Sequence, residues 1–382
     1  MKNAIHVWDL PIDKVYIKFN RDFSNFFFNK AHKNFKSWNA LGNYLNIRRG
    51  DTLIARNWRN CLSSYPLSTI LKLSKFINVS YDEIERNIVE IKSKSKLNKR
   101  GGSTGKSILN PKLPLKINKN FIEILGHIYG DGCIVNKNPH KGIALKYTNS
   151  EKELIKQFML KISDVFGEIK PNIQIRNGEG YRRNNFLLQY PTIISLFIQS
   201  VHDFKSKDDK EIPSFIFKLN SEKKCVFLRA LYDDEGTVSI SDKSITIGVK
   251  PKKAINIIRK LLIEEGFNPG RIYPNGVIHK VKLSRKKDIF LFKQKIGFKH
   301  PEKNKKLNTI IKNGWKFERY LNGVVRSKIN SFIIERNGAT ILDLREHLNR
   351  SAETVREHLK KMESEGKISR DRSTIPHLWS LR

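Results

Sequence analysis

The stretch Ile124-Leu125-Gly126-His127-Ile128-Tyr129-Gly130-Asp131-Gly132 decides the fold, because a stretch of the same character returns as Leu228-Arg229-Ala230-Leu231-Tyr232-Asp233-Asp234-Glu235-Gly236. Each is an apolar segment that predicts the last turns of a helix. Gly126 and Gly130 are four residues apart, so they share one helix face on which another backbone can come close. Ala230 supplies a small residue in the second stretch. We therefore predict that the two helices pack together through Gly126, Gly130 and Ala230.

Each stretch closes on an acid and a glycine. Gly132 and Gly236 stand where a helix often stops in left-handed conformation, which leaves Asp131 and Glu235 at the negative end of the helix dipole. A carboxylate is disfavoured there by about 0.3–1 kcal/mol, and helix packing would bring the two acids near each other. Divalent cations between the carboxylates would offset this repulsion. The alternative is two ordinary core helices, each ended by a glycine.

The paired stretches resemble the motif of the LAGLIDADG homing endonucleases in their single-chain form with two motifs. In that family the final acid of each motif binds catalytic Mg2+. The resemblance therefore implies that Asp131 and Glu235 are catalytic metal ligands, with Gly132 and Gly236 at the helix ends and Mn2+ as an alternative to Mg2+. The chain departs from the family pattern at Asp234, where a small residue is usual.

Composition indicates a folded protein that binds a polyanion. The 382 residues are 39% hydrophobic and carry a formal net charge of +36, which favours nucleic acid as partner, with an affinity that falls as salt rises. An anionic membrane is the alternative, but we find no long apolar span and expect no membrane contact. Cys61, Cys133 and Cys225 lack the spacing of zinc or redox sites. Without a signal-peptide pattern, we expect a cytoplasmic, nucleoid-associated protein.

From about Phe121 to Phe298 the same order of elements is predicted twice. The fold class is α+β, a pseudo-twofold duplicated αββαββα core whose halves, about 118–202 and 220–312, each supply a four-stranded antiparallel sheet. In the resembled family the free sheet faces form a saddle on DNA, which implies a monomeric pseudo-dimer on double-stranded DNA. Residues 297–303 resemble the closing segment of archaeal members, so the resemblance covers roughly half the chain.

Basic and amide side chains at alternating strand positions suit base edges and phosphates, although a solvated polar sheet face is the alternative. Together with basic positions near the C-terminus, the predicted DNA-binding residues are Lys146, Arg176, Arg182, Arg183, Lys250, Arg271, Lys280, Arg350, Arg356, Lys360 and Arg370. A lysine near each acid would stabilise developing charge during catalysis. Lys282 or Lys286 could serve in the second half, and Gln189 takes the matching place in the first.

The rest of the chain divides into terminal units and a linker. The pattern of residues 1–91 predicts several short helices. The last of these would begin at a Ser80 capping box and run through Ile91. This unit resembles a helix-turn-helix DNA-binding domain. An all-helical packing domain is the alternative. Residues 92–117 are basic and predict a flexible linker to the core at 118–312.

The last unit, 323–382, predicts three helices and a hairpin, which resembles a winged helix. Its recognition helix would be 350–361 and its wing 370–377. DNA binding is favoured there over a protein-interaction role.

The function predicted from these features is a site-specific double-stranded DNA endonuclease of the LAGLIDADG homing type. It would hydrolyse phosphodiesters with Mg2+, using one acid per half at the interface of the two motif helices. We expect a free-standing enzyme rather than an intein, since Met1 and the final Leu381-Arg382 do not match the ends that protein splicing requires. The alternatives are a non-cleaving transcription regulator with the same fold and an RNA-splicing maturase. The presence of both acids favours the endonuclease.

Overall fold

The computed structural model describes residues 3–93, 107–135, 143–176, 184–202, 212–313, 323–348, 350–374 and 376–381. The chain divides into two compact units, Met1–Glu235 and Gly236–Arg382. Both are α+β, and the strands of every described sheet pair antiparallel. In the described part of the chain, no helix combines the length and the apolarity that crossing a bilayer requires. Arg182, Arg183 and most of the predicted linker, 94–106, lie outside the described residues.

The first part of the first unit mixes helices with a sheet of strand order β3-β2-β4-β5 and a separate β1-β6 pair. Short 3-10 turns lie at Val7–Asp9 and Ile12–Lys14, and a π-helical segment at Asp51–Trp58. The named elements are β1 (Ala4–Ile5), β2 (Val15–Phe19), α1 (Arg21–His32), α2 (Trp38–Tyr44), β3 (Tyr65–Pro66), α3 (Leu67–Ile77), α4 (Tyr81–Arg86), β4 (Ile88–Ser93), β5 (Ile108–Leu109) and β6 (Leu115–Lys116).

The prediction that this N-terminal part is helical is wrong in part. Ser80 caps α4 as expected, accepting a hydrogen bond from the backbone N of Glu83 at 3.2 Å. The helix nevertheless ends at Arg86, and the predicted helical positions through Ile91 form strand β4. A short run of β-branched residues suits a strand when a partner is at hand. Here β2 is that partner, with Ile17 opposite Ile91.

The described end of the predicted linker is also structured. Ile108 of β5 pairs with Ile91, and Leu115 of β6 pairs with Ile5. The side chains of Ile108 and Leu115 are buried, so their burial favours an ordered path over the flexible one expected from the basic composition. Leu109 forms an isolated bridge with Glu168, which continues the connection into the next part of the unit.

The second part of the first unit contains the first predicted half and its partner helix. Its sheet has the order β7-β8-β10-β9, and a 3-10 turn lies at Ser214–Lys218. The elements are α5 (Lys119–Tyr129), β7 (Gly132–Val135), β8 (Ala144–Asn149), α6 (Lys152–Phe166), β9 (Asn172–Arg176), β10 (Asn185–Tyr190), α7 (Thr192–Gln199) and α8 (Ser221–Glu235).

Helices α5 and α8 pack together at small residues. A Cβ placed on Gly126 would lie 2.6 Å from the Cβ of Ala230 and 2.7 Å from the carbonyl oxygen of Phe227. Real Cβ atoms do not approach that closely, so the absence of a side chain at Gly126 is what permits this helix spacing. The pairing of Gly126 with Ala230 is the one expected from their positions in the two stretches.

The second unit contains a sheet of order β11-β12-β14-β13 and, further along, a β15-β16 hairpin. A buried cluster that includes Ile329, Leu344, Leu359 and Trp379 joins the last three helices to this hairpin. The elements are β11 (Gly236–Ser239), β12 (Ser244–Val249), α9 (Lys252–Glu264), β13 (Tyr273–Asn275), β14 (Ile278–Leu283), α10 (Lys286–Lys295), α11 (Pro301–Asn313), α12 (Val324–Arg336), α13 (Ile341–Leu348), α14 (Ala352–Ser364), β15 (Ile368–Asp371) and β16 (Leu378–Leu381).

Candidate functional site

The two predicted acids lie at the ends of the packed helices. Helix α5 ends at Tyr129 with Gly130 as its C-cap. Asp131 follows the cap and is exposed to solvent. Glu235 is the last residue of α8 and is half-buried. Both acids are therefore at helix C-termini, where the dipole disfavours negative charge and favours a bound cation.

The glycine after the first acid is not the left-handed cap that we predicted. Gly132 begins strand β7 and lacks the positive φ of such a cap, and Gly236 likewise begins β11. A Cβ on Gly132 would lie 2.6 Å from the Cα of Ile128 and 2.9 Å from the carbonyl oxygen of His127. Glycine is needed at residue 132 because the chain turns back closely against its own helix.

The centre of the site is Asp234, the residue that departs from the family pattern. Its side chain is fully buried and packs against Gly130 at the end of α5. A Cβ added to Gly130 would lie 2.6 Å from the Cβ of Asp234. Oδ1 accepts a hydrogen bond from the hydroxyl of Tyr147 at 2.9 Å. Oδ2 lies 3.1 Å from Nδ1 of His127 and accepts from the backbone N of Asp131 at 3.3 Å.

A buried amide links Asp234 to the first acid. Nδ2 of Asn149, the last residue of β8, donates to Oδ2 of Asp131 at 2.9 Å and lies 3.4 Å from Oδ1 of Asp234. Its own Oδ1 accepts from the backbone N of Glu151 at 2.8 Å. Asn149 thus contacts both carboxylates while its orientation is held by the chain that enters α6.

Charged groups alternate in sign through the interior beside this site. Lys161 on α6 lies 3.3 Å from Glu123 of α5, whose carboxylate is 4.0 Å from Nε2 of His127. Burial alone would lower the pKa of His127, but the charge of Asp234 and its hydrogen bond, with further contributions from Glu123 and Asp233, raise that pKa above its ordinary value. His127, opposite Asp234, therefore holds its proton more tightly than a free histidine does.

Tyr147 contributes a neutral donor to the same group. Burial, followed by the negative charges of Asp234 and Asp131, raises the pKa of Tyr147 well above its usual value, so the hydroxyl keeps its proton. The ring stacks on Phe158 at a centroid distance of 4.3 Å, which fixes the direction of the hydroxyl.

The donor set at the helix ends fits a hard divalent cation. Asp131 and Glu235 offer carboxylate oxygens, which Mg2+ and Mn2+ prefer. Mg2+ sites commonly use one or two carboxylates and leave other positions to substrate phosphates and water. Each acid therefore offers the type of ligand that such an ion takes.

A different group has the denser arrangement of ligand-type atoms. In the described ranges, His6, Asp82 and Glu85 are the one trio of His, Cys, Asp or Glu with ligand atoms within 4.8 Å of one another. Their contacts have a structural explanation. Glu85 accepts from the backbone N of Val7 at 2.7 Å and lies 2.9 Å from Nδ1 of His6, so it ties the N-terminal segment to α4.

The strand register shows on which face of the first sheet each predicted DNA-binding residue lies. Lys146 pairs with Gln189, and Arg176 lies on the same face at the end of edge strand β9. The opposite face carries Tyr147 and Asn149. Gln189, which we predicted to assist catalysis, is thus on the other face from the amide that contacts Asp131.

In the second sheet the pattern is similar. Lys282 pairs with Thr246, and Lys280 pairs with Gly248 and Tyr273 on the same polar face. Lys286 begins α10 and is exposed. Lys250 and Arg271 are exposed beside the strands.

The C-terminal candidates lie on and around α14. Arg356 and Lys360 are exposed on this helix, whereas Arg350 and Arg370 are partly buried. Ser351 caps the helix by accepting from the backbone N of Thr354 at 3.2 Å.

Several of the residues at this site were not predicted from the sequence. We predicted no role for His127, Tyr147 or Asn149, and the role of Asp234 was left open. The signal that could have found the group is Asp234 itself, since a carboxylate in place of a small residue at a helix interface requires buried partners.

No family model matches the sequence. The glutamine–fructose-6-phosphate aminotransferase (isomerizing) of Methanocaldococcus jannaschii is 28% identical over 236 residues. The match covers 59% of this chain and 20% of that protein. The chain thus spans about one fifth of this relative's length.

Three solved structures show partial similarity. The homing endonuclease I-DmoI in complex with DNA and Mn is 20% identical, with a TM-score of 0.35 over 47% of this chain and 97% of that chain. The homing endonuclease I-WcaI bound to its DNA recognition sequence is 19% identical, with a TM-score of 0.40 over 50% and 87%. Full-length DUF199/WhiA from Thermatoga maritima is 14% identical, with a TM-score of 0.37 over 64% and 90%. All three TM-scores lie below 0.5.

Proposed function

We propose that this protein is a site-specific endonuclease of the LAGLIDADG homing type that hydrolyses one phosphodiester on each strand of double-stranded DNA. The observation that carries this proposal is the position of Asp131 and Glu235. Glu235 is the last residue of α8, and Asp131 follows the C-cap of α5; these two helices pack closely at Gly126 and Ala230. The net charge of +36 provides the attraction for a polyanionic substrate.

The role proposed for Asp131 and Glu235 is to bind a divalent cation and to fix its position. Hydrolysis of a phosphodiester requires an activated water, relief of charge on the phosphoryl oxygens and stabilisation of the leaving oxygen, and Mg2+ or Mn2+ bound at Asp131 and Glu235 would supply these effects. The carboxylates fix where a cation can be held. Asn149 orients the carboxylate of Asp131 through its 2.9 Å hydrogen bond. We keep Lys282, Lys286 and Gln189 as candidates for stabilising charge on the phosphate.

The polar faces of the two sheets are the proposed DNA-contacting surfaces of the core at 118–312. Lys146, Gln189 and Arg176 share the face of the first sheet, and Lys280 and Lys282 share that of the second. Their side chains can donate to base edges and phosphates. We further propose that 323–382 acts as a winged helix with α14 as recognition helix, and that the N-terminal unit contributes additional phosphate contacts.

A transcription regulator that binds DNA without cutting is the second candidate. It is favoured by the C-terminal unit, in which three helices are followed by the β15-β16 hairpin. Such a unit supports sequence-specific binding without any need for hydrolysis. The two candidates share the DNA surface and differ in whether the acids at the helix ends are used.

Selection of cleavage products from a random or genomic DNA library, with Mg2+ or Mn2+, separates the two candidates. The endonuclease proposal requires double-strand breaks at a selected site. Asp131→Asn and Glu235→Gln keep the side-chain shape but remove the charge, so each should abolish or severely reduce cleavage while binding in Ca2+ stays near that of the wild type. Specific binding with no cleavage anywhere in the library would favour the regulator.

A further inference from the structure

We propose that Asp234, an acid of the second motif, is a positioning residue for Asp131, the acid of the first. Four side chains take part: His127 and Tyr147 hold Asp234, and Asp234 and Asn149 together hold Asp131. The description of Asp131 as catalytic rests on the function proposed above, but the positioning itself does not.

The main chain of Asp131 is held directly. Its backbone N donates to Oδ2 of Asp234 at 3.3 Å, at the point where α5 has ended and β7 has not yet begun. Gly130 makes this possible, because any Cβ there would overlap the side chain of Asp234. The helix end that carries Asp131 is therefore tied to the partner helix at one residue before β7.

The side chain of Asp131 is held through Asn149. The same Nδ2 group reaches Asp131 at 2.9 Å and Asp234 at 3.4 Å, and it lies 3.4 Å from the hydroxyl oxygen of Tyr147. The amide plane cannot rotate freely, since its oxygen accepts from the backbone N of Glu151. Loss of the Asp234 carboxylate would remove one of the contacts that set the direction of Nδ2.

The two oxygens of Asp234 have different donors. Oδ1 faces Tyr147 and Asn149, whereas Oδ2 faces the backbone N of Asp131, and both oxygens lie within 3.2 Å of Nδ1 of His127. An asparagine at residue 234 has one oxygen and one NH2 group, so it can accept hydrogen bonds from the donors to Oδ1 or from the donors to Oδ2, but not from both. His127, whose Nδ1 lies within 3.2 Å of both oxygens, would then also lose a carboxylate partner.

The test is Asp234→Asn in the full-length protein, read out by hydrogen exchange at the backbone amide of Asp131 and by the affinity for Mn2+ alone. We expect amide exchange at Asp131 to rise by about tenfold or more. Removal of a residue that orients a metal ligand typically costs 10–100-fold in metal affinity, so we expect the Mn2+ dissociation constant to increase by about tenfold. Tyr147→Phe removes a single donor to Asp234 and should produce smaller changes in the same direction.

Glu85→Gln is the matched control. Glu85 is a buried acid that lies 2.9 Å from Nδ1 of His6, so its loss likewise removes a buried carboxylate from beside a histidine, but in the first part of the unit. Amide exchange at Asp131 and Mn2+ affinity should stay within about twofold of the wild type in this variant. Equal effects in Glu85→Gln and Asp234→Asn would attribute the change to general destabilisation and overturn the proposal.

The outcomes distinguish this inference from the nuclease proposal. Unchanged amide exchange at Asp131 in both Asp234→Asn and Tyr147→Phe would overturn positioning, whatever the cleavage result. Faster exchange with weaker Mn2+ binding supports positioning even if the wild type cuts no DNA, in which case the nuclease proposal alone fails.

Discussion

The side chain of Asp234 fills the space that Gly130 leaves empty on the facing helix, with 2.6 Å between the Cβ of Asp234 and the position that a Cβ of residue 130 would take. The two residues therefore depend on each other. A small residue in the first motif is required because the second motif does not have one at the facing position.

We predict that Gly130→Ala destabilises the protein by about 1–3 kcal/mol, the usual cost of overpacking a close contact. The cost of this change should be smaller when Asp234 is replaced by glycine, since the overlapping group is then gone. Chemical denaturation of both single variants and the double variant measures the coupling. Strict additivity of the two free-energy changes would contradict the contact.

We predict that stability declines with pH above about 6.5, owing to His127. Its folded pKa is raised above the ordinary value of 6.5, so the native state holds this proton more tightly than the unfolded state. The contribution is fully present below the unfolded pKa and is lost as pH rises through the folded pKa. The groups that face His127 are Asp234, Asp233, Glu123 and Tyr147, and Tyr147 stays protonated across this range.

Urea unfolding across pH values from about 6 to 9 measures this contribution. The His127→Gln variant is the comparison, because every other ionisable group of the protein remains in it. The difference in unfolding free energy between the wild type and this variant should shrink as the pH rises. A difference that is constant with pH would rule out a raised pKa for His127.

We predict that replacing Lys280 and Lys282 by glutamine lowers the salt dependence of DNA binding. Each lysine that neutralises a phosphate contributes about one unit to the slope of log affinity against log salt concentration, so the slope should fall by about two. Fluorescence anisotropy over a salt series measures it.

Lys252→Gln with Lys253→Gln is the control for this prediction. It makes the same charge change at two lysines on α9, which packs against β12 and β14 of the same sheet. The control should leave the slope near that of the wild type. An equal fall in both double variants would show that net charge, and not the polar sheet face, determines binding.

Much of the helix pairing could be predicted because its signal is local. Gly126 and Gly130 share a face through helical periodicity alone, and Ala230 follows from the repeat. Alternation along β8 and β14 likewise placed Lys146 and Lys282 on polar faces. These inferences need only residues that are neighbours in sequence.

The rest depended on contacts between distant residues. Asp234 meets Tyr147 and Asn149, which are 87 and 85 residues away along the chain, and no local pattern joins them. Strand β4 was mistaken for helix because a short β-branched run suits either state until β2 pairs with it.

We predict that the fragment 118–312 unfolds at a lower temperature than the fragment 1–312. Residues before 118 contact the core at several points: Leu109 pairs with Glu168, Lys112 contacts Asp164, and the carbonyl of Ile117 accepts from Lys223. The shorter fragment loses these contacts. Differential scanning calorimetry makes the comparison, and equal melting temperatures would support an independent core.

The pairing of β1 with β6 has a consequence for synthesis on the ribosome. Ala4 and Ile5 are translated before the four helices α1 to α4, whereas their partners Lys116 and Leu115 are translated after them. Strand β1 therefore has no partner strand until the polypeptide has been made beyond Lys116. Nascent chains that stop before this point would lack a docked first strand and would be targets for chaperones that bind exposed apolar segments.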